Sequence, residues 1–129
     1  MGRYGKAAVE AVDLVRSTGI SPNQAWDIAT GNEFGKGTSS QKKGCPKGAF
    51  LGLCENGMVK DIPVGNYTSS LENKRYAVKA VRLLTEKPEL SYNEERLWDE
   101  VTGGKSVKQN HQLDVVLSLW KKGYINTEM

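Results

Sequence analysis

Two cysteines, a single histidine and two runs of lysine are the residues of this 129-residue chain whose types and spacing could carry chemistry. Cys45 falls at the expected N-cap of a helix, ahead of Pro46 and beside Lys42, Lys43 and Lys47. A helix start flanked by ammonium groups is the setting in which a thiol becomes a nucleophile. His111 also falls at an expected helix start, directly after Asn110. If those two starts face one another, Cys45 and His111 make a thiol–imidazole dyad, with Asn110 able to orient the ring. No local motif of a known cysteine hydrolase accompanies Cys45. The second cysteine is a different case. Cys54 lies nine positions on, about 13 Å away along one helix at 1.5 Å per residue, beyond the roughly 7 Å a disulfide spans. With one histidine in the chain, the Cys45–Cys54 spacing matches no zinc pattern, and neither a metal nor a cofactor is implied. Cys54 reads as a small buried hydrophobe.

The lysines support a second chemistry. Between Phe34 and Cys54 stand Lys36, Lys42, Lys43 and Lys47 with no acidic residue, and between Val101 and Leu113 stand Lys105, Lys108 and His111, again without one. Both stretches lead into a predicted third helix, a placement that favours an anionic partner. Three helices, the third entered from a polar loop and closed by glycine, outline a helix-turn-helix module. In such a module the start of the third helix meets base edges, while flanking Lys and Ser/Thr hold the backbone. The residues expected in that role are Ser39, Ser40, Gln41, Lys42, Lys43 and Lys47 in the first unit. In the second they are Lys105, Ser106, Lys108, Gln109, Asn110 and Gln112. Amide side chains pair with adenine, and lysine with guanine or phosphate. The glycine-rich segment Gly31–Ser39 lacks the spacing of a phosphate-binding P-loop and follows no strand.

The elements that must position these groups occur twice. Gly44–Val59 lies over Asn110–Ile125 without a gap, Ala8–Val15 over Ala77–Leu84, and Trp26-Asp27 over Trp98-Asp99. A unit of this length, repeated, fixes an architecture. In the first copy Ala8, Ala11, Val12 and Val15 form the stripe of a half-buried helix, ended by Ser17-Thr18-Gly19. Ser21-Pro22 caps and opens a second helix through Trp26 and Ile28, a polar loop fills Gly31–Gly44, and a third helix runs from Cys45 to a C-cap at Gly57. In the second copy Ser69-x-x-Glu72 resembles a capping box before Ala77, Ala80, Val81 and Leu84. Ser91-x-x-Glu94 opens the next helix, and the last runs from about Asn110 to Gly123. Between the copies, Val59–Tyr67 is extended, as a short strand or a packed linker. Trp26 with Trp98, and Leu53 with Leu119, are expected core pairs.

The fold class is therefore all-α: two tandem three-helix, helix-turn-helix- or winged-helix-like repeats, residues 1–66 and 67–129, packed as one domain. A hydrophobic fraction of 38%, a charged fraction of 26% and a net charge of +3 are ordinary for such a domain. No apolar run reaches the roughly 18 residues that span a bilayer, and the first helix opens without a signal-peptide core, so no membrane partner and a cytoplasmic location are expected. Asn66-Tyr67-Thr68 formally matches a glycosylation acceptor that a cytoplasmic chain would not use.

The run Lys43–Gly57, followed by Asn73–Val78 and His111–Val116, resembles a family of small bacterial proteins without assigned function. The resemblance covers nearly the whole chain. It implies a bacterial or phage-like cytoplasmic origin and brings no activity, cofactor or site residue with it. The leading functional reading is thus a non-catalytic module associated with DNA or RNA. The alternatives are a thiol-dependent enzyme using Cys45 with His111, and an interaction module for a protein partner or a second copy of itself.

Overall fold

The computed structural model describes residues 1–127 and is all-helical. Its helices are α1 (Arg3–Thr18), α2 (Pro22–Phe34), α3 (Gly44–Glu55), α4 (Leu71–Glu86), α5 (Glu94–Thr102) and α6 (Gln112–Lys122), with a 3-10 turn at Pro88–Tyr92. Helix α1 buries Ala7, Ala8, Ala11 and Val12, and α4 buries Ala77, Ala80, Val81 and Leu84, the stripes their spacing predicts. The halves exchange partners. Helix α1 packs on α2 and on α6, while α4 packs on α5 and on α3, and α3 meets α6 at the centre. Trp26, Phe50, Leu53, Leu97, Leu113 and Leu119 are fully buried in one continuous core drawn from both halves.

Aligned positions make the same bonds. Gly57 and Gly123 end α3 and α6 in the left-handed region, at φ 73° and 80°. Each glycine N–H bonds back at 3.1 Å, to Cys54 O and Trp120 O, and the next N–H bonds at 3.0 Å, to Leu53 O and Leu119 O. This is the double closure of a Schellman turn, which glycine adopts without the penalty a Cβ would bring. Beyond the turns, Val59 and Ile125 form an isolated antiparallel bridge. Its bonds are reciprocal: Lys60 N–H to Tyr124 O at 2.9 Å, and Asn126 N–H to Met58 O at 2.8 Å. The pattern repeats in α2 and α5. Ser21 and Asn93 cap them by accepting from Gln24 and Arg96 N–H, each at 3.1 Å, and buried Thr30 and Thr102 donate to the carbonyls of Trp26 and Trp98.

Several boundaries differ from the sequence expectation. Helix α2 continues through Gly31 to Phe34, so the polar loop is only 35–43. The N-cap of α3 is Lys43, which puts Cys45 inside the first turn. Ser70, not Ser69, caps α4, and its side chain makes no cap bond. Asn93 replaces Ser91 as the cap of α5, because the 3-10 turn after Pro88 takes Ser91 into the interior. The segment after Val59 has the single bridge and no strand, so among the described residues no wing follows either third helix.

Candidate functional site

The α3–α6 contact brings the two stretches of chemical interest together. Cys45 is half-buried on the first turn of α3. Its sulfur accepts a hydrogen bond from Asn110 Nδ2 at 3.6 Å, across 65 positions of sequence. His111, the N-cap of α6, holds φ 70°, one of two non-glycine residues in the left-handed region among the described residues. That conformation costs on the order of 1 kcal/mol for a residue with a Cβ, and such outliers cluster at functional sites. The exposed imidazole of His111 lies against the ring of Tyr4, centroids 4.8 Å apart, while Asn110 takes the place next to sulfur.

A chain of side-chain amides fixes Asn110. Its backbone N–H donates to Gln112 Oε1 at 2.6 Å. Gln112 is 3% exposed, and its Nε2 donates to Asn73 Oδ1 at 3.1 Å. Asn73 Nδ2 then donates to Ser70 Oγ at 2.9 Å. The starts of α3, α4 and α6 are thereby tied together. Gly48 permits this, since a Cβ there would stand 2.9 Å from the Cβ atoms of Asn73 and Ser70. Tyr4, from the start of α1, touches both loops: its hydroxyl donates to Ser40 O at 2.8 Å and its ring meets His111. Beside it opens a cavity of about 530 Å³ lined by Arg3, Tyr4, Phe34, Ser40, Lys43, Glu94, His111 and Asp114. Asp114 is already engaged there, accepting from Gly2 and Gly5 N–H at 2.8 Å each.

The residues expected to read bases divide into two groups. The amides are spent internally: Gln41 bonds Asp27 O and Gly37 N–H, Gln109 accepts from Leu113 N–H, and Asn110 and Gln112 belong to the chain above. Ser40 gives its carbonyl to Tyr4, and Lys47 lies 3.9 Å from an Asp27 carboxylate oxygen. The remaining lysines stay available. Among the described residues Lys42, Lys43, Lys105 and Lys108 enter no ion pair. Helices α3 and α6 bury Pro46, Gly48–Cys54, Leu113, Val115–Leu119 and Gln112, so the faces a recognition helix would present are given to the core.

Cys54 is fully buried, and both thiols are free. Burial pushes the Cys54 thiol far above its ordinary range, so it is chemically quiet. Sequence reasoning passed over Glu55. The Lys74 ammonium, donating at 2.6 Å, and the Thr68 and Tyr67 N–H groups hold its carboxyl at about 2. That acid pins the inter-repeat linker to the end of α3. Asn73 was also missed as a member of the site; its place in the first turn of α4 is the signal that could have found it.

Among the described residues no helix is long and apolar enough to cross a membrane, and no group of three or more His, Cys, Asp or Glu could hold a metal ion. Among the described residues six helices, one shared core and a polar cluster at three helix starts define an all-α protein. The chain belongs to the DUF6979 family, a family of unknown function whose model matches residues 1–126. No curated protein and no solved structure matches it.

Proposed function

We propose that this protein carries out thiol-dependent chemistry at Cys45. The observation that supports this best is the Asn110 amide directed at Cys45 sulfur, from a turn held in a strained conformation at His111. In this reading Cys45 Sγ attacks an electrophilic carbonyl carbon. The S–C bond forms as the C=O electron pair opens onto oxygen, and the thiol proton is released to solvent, since the His111 imidazole lies on Tyr4. Asn110 donates to the oxygen that gains charge, a role in which one amide donor contributes substantially to rate. Competitive alkylation with iodoacetamide tests the reading, because Cys54 is a built-in unreactive control. The expected result is a Cys45 rate constant larger in the folded chain than in the urea-unfolded chain, and smaller in Asn110→Ala. A folded-state rate at or below the unfolded one would overturn it.

A second reading rests on a different observation. Tyr4 contacts both lysine-bearing loops, which supports placing Lys42, Lys43 and Lys108 toward one end of the molecule, where they could hold a DNA or RNA backbone. With α3 and α6 buried, binding would be to phosphate without base readout. Salt-titrated binding of duplex and single-stranded DNA should be lost in Lys42→Ala/Lys43→Ala. Absence of binding at low salt would remove this reading.

A further inference from the structure

One amide of the cluster is buried, and its described side-chain bonds go only to other members of it. Gln112 is 3% exposed, and a buried amide must find partners for both its ends or destabilise the fold. Its oxygen takes the Asn110 N–H at 2.6 Å and its nitrogen reaches Asn73 Oδ1 at 3.1 Å. The first bond closes over His111, the residue with φ 70°. The second anchors that closure to α4, which is itself packed on α3. The Asn110 backbone therefore cannot move away from Cys45 without breaking its bond to Gln112. We infer that Gln112 is the positioning residue of the Cys45 site, with Asn73 as its anchor: together they hold the His111 turn and aim the Asn110 amide at sulfur. The inference rests on the thiol reading but makes a separate claim about how the donor is held.

The thiolate is the attacking species in alkylation, and an N–H donor steadies that anion. Losing the donor, or losing what aims it, should have the same consequence. The experiment measures the iodoacetamide rate constant of Cys45 in Asn110→Ala, Gln112→Ala, Asn73→Ala and Asn73→Asp, with thermal melts alongside. Asn110→Ala and Gln112→Ala should each lower the rate by about threefold, the scale of one oriented hydrogen bond. The Asn110→Ala/Gln112→Ala double variant should be no slower than Asn110→Ala alone, since Gln112 acts only through Asn110. Asn73→Asp keeps the acceptor for Gln112 Nε2 and should retain the wild-type rate, whereas Asn73→Ala should not. A merely structural role for Gln112 would lower the melting temperature and leave the Cys45 rate unchanged. If Asn110→Ala slows Cys45 while Gln112→Ala does not, the positioning role fails and the thiol reading stands. If Asn110→Ala has no effect, the thiol reading itself fails.

Discussion

At their C-terminal ends α3 and α6 close with the same glycine turn and meet in the reciprocal bonds around Val59 and Ile125. At their N-terminal ends α3 offers Cys45 in its first turn, whereas α6 is entered through Asn110, strained His111 and buried Gln112. The same register of sequence that makes one end symmetric makes the other complementary: a sulfur faces an amide, not a second sulfur. Where aligned residues serve packing, the two halves use the same bonds. Where they diverge, polar groups collect, and one of them adopts a backbone conformation that costs energy.

The indoles of Trp26 and Trp98 show a smaller divergence of the same kind. Trp98 Nε1 donates to Val107 O at 2.7 Å, so the loop before α6 is tied down by its own tryptophan. Trp26 stacks on Phe50 with ring centroids 5.1 Å apart, and among the described residues its Nε1 has no partner. The loop before α3 is held instead by Gln41 and by the Tyr4 hydroxyl.

The sharpest way to break the comparison is to cut matching core positions. Leu53 and Leu119 are aligned and fully buried, so Leu53→Ala and Leu119→Ala should each cost about 2–5 kcal/mol in urea unfolding, with similar values. A cost below about 1 kcal/mol for either would end the equivalence of the two third helices.

Acid comes next, because Glu55 has no acid at its aligned position. Glu55 holds a carboxyl at about 2 against an ordinary 4.5, while its aligned position is exposed Lys121. A carboxyl lowered by folding stabilises the native state above its unfolded value, and that contribution disappears as pH falls from the ordinary value toward the folded one. Stability should therefore drop between about pH 4.5 and 2, and Glu55→Gln should flatten that drop, as followed by circular dichroism. An unchanged pH profile in the variant would place the acid sensitivity elsewhere.

The smallest effect distinguishes the two glycine turns. Gly57→Ala and Gly123→Ala should each lose about 1 kcal/mol for left-handed φ. Gly57→Ala should lose more, since its Cβ would stand 2.9 Å from Val64 Cγ2, whereas Gly123 opens onto free space. Equal losses would mean that the linker around Val64 yields at no cost.

Much of the fold was legible in the chain. The alanine and valine stripes of α1 and α4, the buried pairs Trp26/Trp98 and Leu53/Leu119, and the glycines that stop α3 and α6 follow from periodicity and turn chemistry, which act over a few residues. Helix starts were less legible. Asn93 and Ser70 took the caps expected of Ser91 and Ser69, because Ser, Thr and Asn compete within one turn and packing chooses among them. The site was half visible. Cys45, Asn110 and His111 could be nominated by alignment, but Gln112 was expected to contact bases and Asn73 had no role, and only the burial of Gln112 and its distance to Asn73 give them one.

The sequence by itself therefore determined six amphipathic segments, where most of them end, and that Cys54 would be silent. Those outcomes depend on local periodicity and on the hydrophobicity of single residues. Tertiary structure alone decided that α1 would pack on α6 and α3 on α4. That exchange buried the helices expected to read a nucleic acid, spent the amides expected to contact bases, and set Asn110 against Cys45. The reason is physical: an apolar face specifies burial but not its partner, and a polar group's function depends on which groups burial leaves within hydrogen-bond reach.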